Sequence, residues 1–458
     1  MYSKINVLCL VFIFLLGGNA ISAEKKASEK SRFEKLELFN KVLFLIESNY
    51  YRDVDTEKLI QGAIKGMMGT LDPHSSFLDD EVYSKMQEDT QGEFGGLGIE
   101  VSQKDGVMVV ITPIDDTPAF KAGMKAGDRI VEINHESTIG MTLEEAVDRM
   151  RGKPDTKILV GVIRDGVDGI KYFDLKRTVI KIEPVKSKLL QDNIIYLRLT
   201  QFQKRSAESI IKAMKKHAPK KGKLKGIILD LRSNPGGLLD EAVDVSSIFL
   251  KDGVVVSTEG RDPKNKEIRF VKKEGFKDLD TPLVVLINGS SASASEIVAG
   301  ALQDYKRAVL MGARSFGKGS VQTVAKIDED KGVKLTIAQY MTPTGRKIQA
   351  VGIKPDIELA ELEGDWLKKS VIESQYIREA DLRNHLTATI ETSDEKSIRE
   401  QKEREERALR IKKIEERRKQ KEATKQKPVT DSEYDLSSDY QVKEAMHFLE
   451  GISLYKKM

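Results

Sequence analysis

The sequence predicts a multidomain α/β chain, on three observations. Residues 32–90 carry helical spacing of apolar side chains, and 92–177 alternate short β-like runs with Gly, Pro and Asp turns. Residues 180–360 set wholly apolar strands among helical stretches. At 458 residues there is room for about three domains of about 150 residues each, and a hydrophobic fraction of 40% is ordinary for packed cores.

The first residues read as an export signal over 1–23. Lys4 gives a weak positive start, Val7 to Leu16 is an apolar run, and Ile21-Ser22-Ala23 offers small residues for cleavage. The run is shorter than the about 20 residues of a spanning helix. Removal after Ala23, a cut at Gly18-Asn19-Ala20 and retention as an anchor all stay open. The expected location is the periplasm or cell envelope. Cys9 is the only cysteine, so a chain starting after Ala23 has no thiol for catalysis, disulfides or zinc.

In the helical lead-in, Phe39, Leu43 and Ile46 recur at spacings of four and three, and Leu59 to Met68 continues after a break at Tyr50–Asp55. The β-rich stretch holds Ile99–Val101, Val107–Ile111, Arg129–Ile133 and Ile158–Ile163, interrupted by one helix at Leu143–Met150 that Thr142 and Glu145 open as a capping box. Farther on, Gly226–Leu231, apolar but for Asp230, and Leu283–Ile287, apolar throughout, predict strands of a sheet covered on both faces. Residues 394–427 are almost wholly charged and read as a solvated helix or disordered spacer, with a short coiled-coil seam as the alternative. Residues 439–452 regain an amphipathic pattern through Val442, Ala445, Met446 and Leu449, for packing back on the core or on another subunit.

Lys plus Arg (76) nearly balances Asp plus Glu (72), so no global field draws this chain to nucleic acid. The five histidines are scattered, and neither a Ser–His–Asp arrangement nor a metal site is expected. Chemistry therefore needs another base. Two segments offer one: Asn288-Gly-Ser-Ser-Ala-Ser-Ala-Ser-Glu296 directly after an apolar strand, and Ser315-Phe-Gly-Lys-Gly-Ser-Val-Gln322 in a glycine-flanked loop. A serine hydroxyl becomes a nucleophile when a neighbouring base takes its proton, and a lysine amine does so when burial lowers its pKa.

These segments resemble the catalytic motifs of the C-terminal processing peptidases, the tail-specific proteases of serine peptidase family S41. Ser293, three before Glu296, matches the family's nucleophile, and Lys318, 25 residues on, matches its base. Gln322 matches the position that orients the lysine amine. Ser290, Ser291 and Ser295 are the competing nucleophiles. The Ala294 N–H, at a helix start, is the first expected oxyanion donor. Asp230-Leu-Arg-Ser-Asn-Pro-Gly-Gly237 resembles the family's Asp-Leu-Arg-Asn-Asn-Pro-Gly-Gly segment, with Ser233 for a usual Asn, and supplies Gly236 or Gly237 as the second donor.

Gly95-Gly96-Leu97-Gly98 followed by Ile99 resembles the carboxylate-binding loop and strand of a PDZ domain, and the Ala-Gly-Asp-Arg-Ile130 segment completes the likeness. Leu97, Ile99, Ala146 and Met150 would line an apolar pocket. Thr70-Leu-Asp-Pro-His-Ser-Ser-Phe-Leu-Asp79 resembles the family's N-terminal turn, and His74 in it is expected to be structural.

The resemblance implies a ClpP/crotonase-like mixed α/β protease core at 180–360, a PDZ domain inserted before it at 92–177, and a helical N-terminal segment. It implies a serine endopeptidase with a Ser–Lys dyad and no cofactor, acting on protein substrates through apolar C-terminal tails. An activating partner or a homo-oligomer is a further expectation. The alternative is a non-catalytic adaptor of the same fold.

Overall fold

The computed structural model describes residues 31–104, 106–219, 223–262, 264, 266–360, 376–382, 384–387, 436 and 439–455. The export signal expected over 1–23 and the charged stretch 394–427 lie outside them. Among the described residues no helix is long and apolar enough to cross a membrane. The chain divides into two units, Met1–Leu71 and Asp72–Met458.

The first unit is helical over 31–49 and Thr56–Gly69, with the break where the sequence placed it. Asp55 caps the second helix, its Oδ1 accepting the Glu57 N–H at 2.9 Å and the Lys58 N–H at 3.3 Å, two donors that the helix itself leaves unpaired. Leu43 and Ile46 are half-buried, while Phe33, Phe44 and Leu45 are exposed.

In the second unit, the β-rich stretch folds into a sheet with strand order 99–104, 107–113, 129–133, 157–163, 171–176, all neighbours antiparallel. Helix Leu143–Met150 starts at the predicted capping box: Thr142 Oγ1 accepts the Glu145 N–H at 3.2 Å, and Glu145 Oε2 accepts the Thr142 N–H at 2.7 Å. Met108, Ile130, Ile133, Ala146, Met150, Val160 and Phe173 form this module's own core. The chain enters and leaves it through one antiparallel ribbon, Glu93–Gly96 against Thr178–Lys181.

The larger core is a six-stranded sheet ordered 185–189, 194–199, 226–230, 283–287, 309–312, 357–358, antiparallel at the first pair and parallel thereafter. Alternate residues of its central strands serve opposite faces, as the pleat requires. Ile227, Leu229, Val285 and Ile287 pack with helices Ser206–Lys216, Leu239–Phe249 and Ala294–Asp304. Ile228, Val284 and Leu286 pack with helix Tyr440–Tyr455. The fully apolar strands are thus explained by cover on both faces, and the amphipathic segment 439–452 folds back on the core. A second sheet joins 76–78, 332–341, 254–260 and 267–270, with 320–326 also paired to 332–341.

Two contacts fasten the late helix. Arg232 donates to Asp230 through Nε (2.9 Å) and Nη2 (2.7 Å), and reaches Asp439 Oδ2 (2.9 Å) and Gln441 Oε1 (2.9 Å). The Arg232 guanidinium and the Tyr196 hydroxyl hold the Asp230 carboxyl below the usual carboxylate range, although its burial pushes the other way. Leu449 is fully buried against Gly226, where an added Cβ would lie 2.7 Å from a Leu449 methyl. Leu449→Ala is expected to cost about 2–5 kcal/mol, read as a lower urea midpoint with an unchanged slope.

Candidate active site

Strand Leu283–Ile287 ends at a tight turn that leads into helix Ala294–Asp304. Ser293 stands at the helix start with φ 55° and ψ −113°, a backbone that a side chain rarely adopts. Such strain at a strand-to-helix turn pushes a side chain out of the turn, as nucleophile elbows do. The competing serines are differently placed. Ser291 and Ser295 are fully buried, and their hydroxyls donate to Leu231 O at 2.8 Å and Asn234 O at 3.0 Å. Both tie the Ser293 turn to the neighbouring 230–237 turn. Ser290 is exposed, and Ser293 is half-buried.

Lys318 lies in the loop after the adjacent parallel strand Val309–Gly312, and one carboxylate holds the two loops together. Glu296, fully buried, accepts the Ser293 N–H (2.9 Å) and the Lys318 N–H (2.9 Å) on Oε2. Its Oε1 accepts the Ser315 hydroxyl (2.5 Å) and the Gly317 N–H (2.7 Å). Burial pushes the Glu296 carboxyl up to about 7, and these four donors pull against that. Burial also pushes the Lys318 amine below its ordinary range, with Lys334 adding to the shift and Glu379, Glu296 and Asp72 opposing it. Among the described residues no hydrogen bond joins Ser293 Oγ to Lys318 Nζ.

The 230–237 turn lies directly against Ser293. A Cβ on Gly236 would stand 2.7 Å from Ser293 Cβ and 3.0 Å from the Ala294 nitrogen, so only glycine fits there. The Gly236 N–H is taken by Asn234 Oδ1 at 2.9 Å. Among the described residues, the Ala294 and Gly237 N–H groups have no acceptor. Ser233 sits at φ 57°, a region that asparagine adopts more readily, and its N–H is held by Asn288 Oδ1 at 2.9 Å.

Gln322 is turned towards other partners than the lysine. Its Nε2 donates to Ser320 Oγ (2.9 Å) and Thr336 Oγ1 (3.3 Å), and Thr336 Oγ1 donates to Asp72 Oδ1 (3.1 Å). His74 Nε2 lies 2.7 Å and 2.9 Å from the two oxygens of Glu379.

In the β-rich module, strand 99–104 is an edge of its sheet. Leu97, Ala146 and Met150 belong to one buried cluster, with Ile99 packed against it, so the side chains predicted to line a pocket do come together. Gly95 and Gly96 lie instead in the ribbon, opposite Val179 and Thr178. The Leu97 and Gly98 carbonyls accept the Ala119 (3.1 Å) and Ile114 (2.8 Å) N–H groups.

The family model described as peptidase family S41 matches residues 193–359, that of the activating protease CtpB N-terminal domain matches 17–82, and that of the PDZ domain matches 85–163. The chain is 45% identical over 363 residues to the carboxy-terminal-processing protease of Bartonella bacilliformis, covering 78% of this chain and 82% of that one. It is 39% identical over 352 residues to the carboxy-terminal processing protease CtpA of Bacillus subtilis, covering 76% and 74%. Among solved structures, the photosystem II D1 C-terminal processing protease aligns at 29% identity with a TM-score of 0.40, covering 70% of this chain and 92% of that one.

Fold and similarities together define a serine protease that carries a PDZ domain. The PDZ match ends at residue 163, and the sheet continues through 171–176. The chain belongs to peptidase family S41, among the carboxy-terminal-processing proteases.

Sequence reading singled out the Ser293 and Lys318 segments but treated Glu296 only as a spacing mark. A carboxylate three residues into a helix reads as a cap, and nothing local says that it also accepts from a loop 22 residues on. Glu379 and Gln349, both fully buried polar residues beside the lysine loop, gave no signal at all.

Proposed function

We propose that this protease is an endopeptidase that works through a dyad of Ser293 and Lys318 and cuts proteins near C-termini whose apolar tails its PDZ domain holds. The observation that carries the dyad is the shared oxygen: the Ser293 and Lys318 amides converge on Glu296 Oε2, which sets the two residues side by side. Burial favours the neutral amine of Lys318. That amine removes the Ser293 Oγ proton as Oγ attacks the peptide carbonyl. The resulting ammonium returns the proton to the leaving amine, and water then releases the acyl group by the reverse path.

Ala294 N–H and Gly237 N–H are the oxyanion donors in this reading, because the Gly236 N–H is already bonded to Asn234. The dyad hydrogen bond forms when substrate fills the site, since such bonds are commonly long before substrate binds. Gln322 acts on Lys318 indirectly, by fastening strand 320–326 to Thr336 and Asp72. An incoming tail adds as a strand beside Ile99, with its carboxylate at the Leu97–Gly98 turn and its last side chain above Leu97, Ala146 and Met150. The chain acts outside the cytoplasm, on the signal pattern of 1–23.

An unstructured substrate ending in apolar residues is expected to be cleaved at least about tenfold faster than the same substrate ending in Asp-Asp. Ile99→Asp is expected to remove that preference. Tail binding without cleavage, across pH and with candidate partners added, is the outcome that favours an adaptor.

A further inference from the structure

We infer that Glu379 is a positioning residue for Lys318, held by His74 and acting through Gln349 on the turn that carries the lysine. This rests on Lys318 being the general base. Glu379 is fully buried, and its carboxylate touches two side chains. His74 Nε2 lies 2.7 Å from Oε2, and Gln349 Nε2 donates to Oε1 at 2.9 Å. Gln349, also fully buried, turns its own Oε1 to the Gly319 N–H at 2.9 Å, one residue after the lysine. The Glu379 N–H donates to Phe316 O at 3.2 Å, on the other side of the lysine. The loop 316–319 is therefore gripped from two sides by one residue's backbone and side chain.

The grip comes from a stretch separate in sequence from both catalytic loops. Tyr376, three residues before Glu379, covers the nucleophile turn: a Cβ on Gly289 would lie 2.2 Å from its ring, and its hydroxyl accepts from Asn288 Nδ2 at 3.1 Å. Residues 376–379 thus span the two loops that Glu296 joins from beneath. Among the described residues the Glu379 carboxylate has no Lys or Arg among its hydrogen-bond partners, and such a buried carboxylate is costly unless its donors are fixed. That cost has a use here, because the charge lies close enough to the Lys318 amine to act on it.

The groups facing that amine are Lys334 from strand 332–341, Glu296 from the nucleophile helix, Asp72 from the turn before 76–78, and Glu379 with His74 against it. Glu379 favours the ammonium. Removing its charge lowers the pH at which Lys318 becomes a base, while removing its grip loosens the loop.

The test is kcat and KM against pH for the full chain and for Glu379→Gln, which keeps size and one acceptor. The expected result is a plateau kcat lower by about tenfold, KM within about twofold, and an acid limb displaced to lower pH. A residue that merely supports the fold would lower activity at every pH with the limb unmoved, and that outcome overturns the inference, as does an unchanged kcat. His74→Gln, which keeps a donor towards Glu379, and His74→Ala, which does not, provide the second arm should Glu379→Gln not fold. Near-normal kcat in the first and a drop of about tenfold in the second support it, and equal kcat values overturn it. Lys318→Ala separates the two levels: if it is fully active the base assignment fails and this inference with it, whereas an inactive Lys318→Ala with an unmoved limb in Glu379→Gln sinks this inference alone.

Discussion

Lys318→Ala is expected to lower kcat/KM by about 10²–10⁴-fold on an unstructured substrate while leaving the circular dichroism and unfolding midpoint near those of the parent. The lysine's backbone contribution, its N–H to Glu296 Oε2 at 2.9 Å, survives the substitution, so the loop keeps its place. What is lost is the only group in the reading that accepts the Ser293 proton. Lys318→Arg is expected to be equally inactive, because a guanidinium keeps its proton throughout the working range. In the parent enzyme the rate should rise with pH through a midpoint below that of an ordinary lysine, since the amine works when neutral and burial favours that form. A Lys318→Ala enzyme of full activity would remove the dyad from consideration.

Glu296→Gln carries the second large effect. The carboxylate accepts four hydrogen bonds from two segments, the Ser293 turn and the 315–318 loop, and an amide offers one acceptor oxygen and a pair of donors in the same space. At least one N–H is left buried without an acceptor, at about 1–3 kcal/mol, and both catalytic loops lose their common anchor. Activity is expected to fall at least about 100-fold, with KM changed little.

Stability should also change its pH dependence. Burial raises the Glu296 carboxyl from its ordinary 4.5 to about 7, so the folded state holds this proton more tightly than the unfolded state does. The contribution is full below about pH 4.5 and is lost as pH rises through about 7. Its size is about 3 kcal/mol. Urea midpoints at pH 4.5 and pH 8 should show this loss in the parent, superimposed on other groups, and a correspondingly smaller one in Glu296→Gln.

Much of this architecture was legible from the sequence, because its signals are local. The break at 50–55, the Thr142–Glu145 capping box and the apolar strands at 226–230 and 283–287 each depend on a few adjacent residues. The resemblance carried the spacing of Ser293 and Lys318, and the structure adds that the Ser291 and Ser295 hydroxyls pin one turn to another. What the sequence did not reveal is long-range polar pairing. Asp439 lies 207 residues from the Arg232 it meets, Glu379 lies 305 from His74, and no periodicity marks either pair. The PDZ loop shows a subtler limit. Four consecutive residues, Gly95 to Gly98, read as one glycine-rich turn, yet two of them lie in the ribbon, because Val179 and Thr178 arrive from beyond the module to pair with them.

The helix that covers the second face of the core sheet also sets an order of events during synthesis. Among the described residues, the helical cover of Ile228, Val284 and Leu286 is complete only when the chain has been made through Leu449, long after the Ser293 and Lys318 loops exist. Closing so wide a loop is slow, and the sheet stays open to solvent and to chaperones meanwhile. The Arg232 guanidinium, two residues beyond the central strand and in the same segment as Gly236 and Gly237, is likewise completed only when Asp439 and Gln441 arrive. A chain interrupted before Leu449 therefore carries Ser293 and Lys318 without a finished sheet beneath them.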